Sequence, residues 1–175
     1  MKGLLSLILL AALLQLQVKD YNSSMFGAKS NGTTLNTSSI QKGIDYISEN
    51  GGGRLVFYVG RYLTGTIYLK SNVTIQLEEG AILVGSVNPF DYEMNHNWTA
   101  LIFALDQKNI GITGKGVIDG QGFQVAYNLV DMIHKGVVKD PLKYDRPRET
   151  IRPQNIYFRG CRNIVIKDIL LKDPG

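Results

Sequence analysis

Four short segments of this chain open alike, with an asparagine, an apolar residue and then period-two alternation. They are Asn72-Val73-Thr74-Ile75, Asn109-Ile110-Gly111-Ile112, Asn155-Ile156-Tyr157-Phe158 and Asn163-Ile164-Val165-Ile166. Period-two alternation sends successive side chains to opposite faces, so each segment reads as a strand with one buried side. Asparagine tolerates left-handed backbone and bonds its own turn, which suits the residue where a chain turns into a strand. An asparagine at one strand entry fits any β protein. Its return at the same phase of four strands favours a coil whose turns stack, with parallel strands, one per rung on each face.

The other periodic segments agree. Ile67 and Leu69 alternate with Thr66, Tyr68 and Lys70, and Val117-Ile118 follows a glycine pair. Nineteen glycines against five prolines supply frequent turns without stiffening. The repeat is interrupted, since Asn72 and Asn109 are 37 residues apart and Asn109 and Asn163 are 54 apart. Residues Pro89–Ala100 and Phe123–Pro153 therefore read as excursions from the coil. In the second, the spacing of Val125, Leu129, Met132 and Ile133 predicts a helix at about 124–134.

Before the strands the period is 3.6. Ile40, Ile44 and Ile47 recur as i, i+4, i+7, which predicts a helix over 37–49. Asn36 is placed to cap it through its side-chain oxygen, and Gly51-Gly52-Gly53 ends it. Such a helix would close the apolar end of a coil that begins near Leu55.

Met1-Lys2 and the apolar run Gly3–Leu14 have the form of a secretory signal peptide, too short for a span of about 20 residues. We expect a signal peptide over 1–18 and the β-helix part over 19–175. The protein would be exported to the periplasm or beyond the cell, and free of the membrane once the signal is removed. One cysteine, Cys161, excludes an internal disulfide framework and a four-cysteine zinc site. Two histidines argue against a histidine metal site, and no cofactor is expected. The net charge of +4 fits either a solvated basic surface or an acidic partner, with nothing that marks a nucleic-acid partner.

The ordered motifs resemble a known family. They are Phe26-Gly27-Ala28-Lys29-Ser30-Asn31-Gly32, Gly52-Gly53-Arg54-Leu55-Val56-Phe57, Gly60-Arg61-Tyr62-Leu63-Thr64-Gly65, Gly114-Lys115-Gly116-Val117-Ile118-Asp119-Gly120 and Arg152-Pro153-Gln154-Asn155-Ile156. In this order they resemble the N-terminal part of glycoside hydrolase family 28, the polygalacturonases, over about residues 21–173. The resemblance implies an all-β, right-handed parallel β-helix with an N-terminal capping helix, truncated here after its first coils. It also implies an inverting hydrolase of α-linked galacturonate in pectin, an acidic plant polysaccharide, monomeric when full length. That chemistry needs an acid and a base carboxyl about 6.5–9.5 Å apart. The family's Asn-Thr-Asp, Asp-Asp, Gly-His-Gly and Arg-x-Lys segments do not occur in this sequence, so no catalytic residue is assigned and those are expected beyond Gly175.

Arg148 and Arg152 are the candidate substrate contacts, because guanidinium matches the carboxylate of galacturonate bidentately. Pairing with Asp145, Glu149 or a carbonyl is the alternative. Tyr144 and Trp98 could stack on sugar or be buried. Asp119 reads as a turn former, Asp168 and Asp173 as solvated, His96 as a loop residue, His134 as a helix end and Cys161 as packing. The alternative function is a non-catalytic carbohydrate-binding or structural β-helix. A calcium-dependent pectate lyase is less favoured, because no carboxylate cluster stands out.

Overall fold

The computed structural model describes residues 18–140 and 151–175. Strands follow one another around a coil and pair with the strand one turn earlier and one turn later. The first turn holds β1 (Asp20–Asn22) and β2 (Asn31–Leu35), followed by helix α1 (Thr37–Glu49) in place of a third strand. The second holds β3 (Gly53–Phe57), β4 (Gly60–Thr64) and β5 (Ile67–Tyr68). The third holds β6 (Val73–Leu77), β7 (Ala81–Gly85), the short β8 (Met94–Asn95) and β9 (Trp98–Leu105). The fourth holds β10 (Lys108–Gly114), β11 (Val117–Asp119), helix α2 (Gly122–His134) and β12 (Gln154–Arg159). Then come β13 (Arg162–Lys167) and β14 (Leu170–Lys172).

Three parallel sheets result. The first runs β1-β3-β6-β10-β13, the second β2-β4-β7-β11-β14 and the third β5-β9-β12. This is the parallel β-helix expected from the asparagine repeat, but its first turn starts at Asp20 rather than near Leu55. Asp20 to Asn22 pair with Arg54 to Val56. These earliest strands are short and polar, and alternation alone gave no sign of them. β8 is the exception to parallel pairing; it turns back antiparallel on β9. His96 and Asn97 make that turn, both with positive φ.

The core is a set of columns along the coil axis. Leu55, Ile75, Ile112 and Ile166 stand in register in the first sheet. Tyr62, Leu83, Ile118 and Leu171 do so in the second, and Ile67, Ile102 and Ile156 in the third. Each rung is covered by the rungs on either side. Ile75 and Ile112 are fully buried, whereas Ile164 and Ile166 of the last rung are 43% and 47% exposed. The buried face expected for that strand is thus uncovered in this chain.

Asn72, Asn109 and Asn163 all sit in the left-handed region, with φ of 64°, 55° and 55°. Asn109 Nδ2 donates to Asn72 Oδ1 at 2.9 Å, and Asn163 Nδ2 donates to Asn109 Oδ1 at 2.9 Å. The repeat is therefore a ladder at the entry to the first sheet. Asn155, the fourth match, is not part of it. It lies in the third sheet, buried, with Nδ2 donating to Lys172 O at 3.1 Å. A local pattern cannot tell which sheet a strand joins.

Helix α1 occupies the predicted residues, and its Ile40, Ile44 and Ile47 are buried. Gly43 sits close under the cap: a Cβ there would lie 2.9 Å from the Phe26 ring and 3.0 Å from Leu55. Asn36 does not cap the helix with its side chain. It is buried, accepting from Lys29 N at 2.7 Å and donating to Thr34 O at 2.9 Å, so it ties the preceding loop instead. At the other end Gly51 is left-handed, and Gly52 N donates to Ile47 O at 2.8 Å, which closes the last turn.

Candidate functional site

Both excursions leave the coil at the same corner, between the second and third sheets. The first starts at Ser86 and ends before Trp98, so Trp98 to Ala100 belong to β9 rather than to the loop. It is stitched to the turn before β5. Thr66 Oγ1 accepts from Glu93 N at 2.9 Å and donates to Ala100 O at 2.8 Å. Ser86 Oγ donates to Asp91, and Tyr92 Oη donates to Ser86 O at 2.7 Å. Burial pushes the Tyr92 phenol well above its usual range.

The second excursion carries α2, which starts two residues before the position read from spacing. Its base is fixed by Gln121 Nε2, which donates to Gly85 O at 2.6 Å, and its middle by Asn128 Nδ2, which donates to Val87 O at 2.8 Å. The two excursions thus lean on each other and build one wall. Val125 and Leu129 are buried beneath α2, while Met132 and Ile133 are half-buried. Phe123 and Tyr127 point away, with ring centroids 4.4 Å apart.

The wall borders the outer face of the third sheet. Opposite the inward isoleucine column stands an aromatic column of Tyr68, Phe103 and Tyr157. Tyr68 and Phe103 stack at 5.6 Å, and Phe103 meets Tyr157 edge-on at 5.3 Å. Phe103 is fully buried between the two tyrosines. Tyr68 Oη donates to Glu93 Oε2 at 2.8 Å, and burial first, then this hydrogen bond, raises the Tyr68 pKa.

Two buried polar atoms near this face have no hydrogen-bond partner among the described residues: Arg152 Nε and Asn155 Oδ1. The Arg152 side chain is half-buried just before β12, and Asn155 is 6% exposed within it. An orphaned buried donor or acceptor is uncommon and calls for a partner outside the described residues. Beside them, Asp119 is buried with Oδ1 accepting from Gln121 N at 3.2 Å and Oδ2 lying 3.5 Å from Lys172 Nζ. Lys172 also meets Asp173 at 3.1 Å, and these carboxylates, Asp173 first, raise its pKa.

Of the two candidate arginines, Arg152 stands at this corner, and Arg148 lies outside the described residues, as does Tyr144. Asp119 holds its turn as expected. Asp168 is exposed, with Lys167 at 3.6 Å. Cys161 Sγ lies against the Ala104 carbonyl at 3.3 Å in a packing position. Among the described residues no cluster of histidine, cysteine and carboxylate side chains is arranged to hold a metal. Sequence reasoning missed the aromatic column and the Phe123–Tyr127 pair. The pair was legible, since both residues fall outside the Val125–Leu129 stripe at i, i+4. The column was not, because strands from three turns assemble it.

No family profile matches the chain. An exo-poly-α-D-galacturonosidase of Dickeya chrysanthemi is 40% identical over 203 aligned positions, covering 90% of this chain and 33% of that protein. Two solved structures superimpose on this chain. A protein of Parabacteroides merdae, described as a glycosyl hydrolase, has a TM-score of 0.79 and 48% identity, covering 89% of this chain and 66% of its own. The family 28 exopolygalacturonase of Yersinia enterocolitica has a TM-score of 0.75 and 27% identity, covering 90% and 35%. The chain spans about a third of the length of the Dickeya protein.

Proposed function

We propose that this chain, a homologue of the family 28 polygalacturonases, supplies the cap, first turns and substrate-facing excursions of a hydrolase acting on α-linked galacturonate in pectin. Its homology to the Dickeya galacturonosidase over nine-tenths of its length carries the reading. The corner at Arg152 supports it. A buried guanidinium nitrogen without an acceptor among the described residues suits a carboxylate, and galacturonate brings one per sugar. Arg148, four residues earlier, is proposed as its companion.

Hydrolysis itself calls for a carboxylic acid that protonates the leaving oxygen and a carboxylate that activates water. The sequence has neither the Asn-Thr-Asp nor the Asp-Asp segment that would supply them in this family. These 175 residues by themselves are therefore proposed to bind without cleaving. Export through the segment at 1–18 is part of the same proposal, since pectin lies outside cells.

The test is binding and turnover measured together. The chain should bind oligogalacturonate in a salt-sensitive manner, because exposed charge pairs weaken when the screening length falls to about 8 Å at 0.15 M salt. Replacing Arg148 and Arg152 together with alanine should remove most of that affinity, and unchanged affinity would refute the arginine assignment. Reducing-sugar release from polygalacturonate should stay at the level of heat-killed protein. Turnover well above that level would show that acid and base are present after all. An open reading frame running past Gly175 into Asn-Thr-Asp and Asp-Asp segments would favour the hydrolase over a purely binding protein.

A further inference from the structure

Phe123 and Tyr127 are 67% and 64% exposed, although they sit on a helix whose other face is well packed. Their rings lie 4.4 Å apart, tilted at 55°. The fold gains little from rings in this position, since α2 is already held by Val125 and Leu129 below, by Gln121 on Gly85 and by Asn128 on Val87. Large exposed aromatics grouped on a fixed element mark a binding surface.

Their location says what binds. Gly122, the residue before Phe123, donates its N–H to Asp173 O at 2.9 Å, and Gly175 N donates to Pro153 O at 2.9 Å. The base of α2 is thus joined to Pro153, the neighbour of Arg152, through residues 173–175. The exposed rings rise from the α2 side of this junction, and Arg152, whose buried Nε has no partner among the described residues, stands on the other. A polymer of sugar acids has both complements: carboxylates for the guanidinium and the C–H faces of pyranose rings for the aromatics.

We propose that Phe123 and Tyr127 form a stacking platform for a sugar ring of the acidic polysaccharide whose carboxylate Arg152 reads, an inference that rests on the galacturonan reading above. The platform contributes through ring contact and is indifferent to charge. It belongs to the second excursion, so it holds a sugar beside the third sheet rather than on it.

Calorimetric titration of the 175-residue chain with tetragalacturonate tests this. The variant Phe123→Leu with Tyr127→Leu keeps apolar cover on the helix but removes the flat rings, and Phe123→Ala with Tyr127→Ala removes both. Either pair should weaken binding about tenfold, a typical worth for lost aromatic stacking. The loss should be equal at low and high salt, with helix circular dichroism and melting temperature unchanged. Arg152→Gln should instead flatten the salt dependence. Leucine variants that bind as tightly as the parent would overturn the platform and leave the arginine reading standing. If the parent chain does not bind tetragalacturonate, both fall. If the leucine variants weaken binding and Arg152→Gln does not, the platform stands and the arginine reading falls.

Discussion

Within these 175 residues the first and last rungs meet water in opposite ways. At the first end, α1 lies across the stack, and its polar positions complete the third sheet. Gln41 Oε1 accepts from Tyr68 N at 2.7 Å while Gln41 Nε2 donates to Tyr68 O at 3.0 Å, so one side chain stands in for a neighbouring strand. Thr37 Oγ1 accepts from Gly65 N at 2.8 Å and Ser48 Oγ donates to Ser71 O at 2.9 Å on either side of it. At the last rung, β13 and β14 are exposed along their whole length, including Val165, Leu170 and Leu171. A parallel strand edge is a template for further pairing, and burying it needs either a mimic or another strand. The lesson is that a cap has to satisfy hydrogen bonds as well as cover apolar surface.

The largest expected difference between the ends comes from placing a charge in each. Ile44→Asp puts an unpaired carboxylate where the parent side chain is 0% exposed, and should destabilise by about 3–5 kcal/mol, enough to unfold a marginal chain. Ile166→Asp, on the open rung, should change stability by less than about 1 kcal/mol. Urea unfolding followed by circular dichroism measures both. Equal losses would mean that the last rung is covered in solution.

Next in size is association. The open rung should make the chain self-associate at tens of micromolar, with Lys167 and Lys172 limiting it in part. Ile164→Lys combined with Ile166→Lys should move the size-exclusion profile towards monomer. A parent chain that already elutes as a sharp monomer would remove the contrast between the ends.

Gln41→Ala sharpens the description of the cap. It leaves the N–H and C=O of Tyr68 without their partner, at about 1–3 kcal/mol for each group that stays dry. Amide exchange at Tyr68 should speed up while exchange at Ile44 N–H follows global stability alone. Unchanged protection at Tyr68 would show that water replaces the glutamine freely.

The smallest effect separates the stitched excursion from both ends. Tyr92 and Tyr68 have folded pKa values raised above the ordinary 10.0, chiefly by burial. The folded state therefore holds these protons more tightly than the unfolded chain, so their contribution is complete below pH 10 and is lost as pH rises beyond it. Melting temperature should fall above about pH 10, and less steeply in Tyr92→Phe, which also loses about 1 kcal/mol at neutral pH with the bond to Ser86 O. Parallel pH profiles would place Tyr92 in water.

The sequence alone determined the coil and its capping helix. Period-two alternation, glycine punctuation and asparagine at left-handed turns are local requirements, and each residue meets them wherever the strand ends up. The isoleucine spacing of α1 is likewise written into consecutive positions. Tertiary structure decided what depends on neighbours from other turns. It put three of the four asparagines into a ladder and sent Asn155 to another sheet. It turned Asn36 from a helix cap into a loop tie, because Lys29 and Thr34 came within its reach. It also assembled Tyr68, Phe103 and Tyr157 into a column and joined the base of α2 to Pro153 through residues 173–175. The Asn36 tie is local, but the ladder and the aromatic column join residues tens of positions apart, and only the pitch of the coil brings those together.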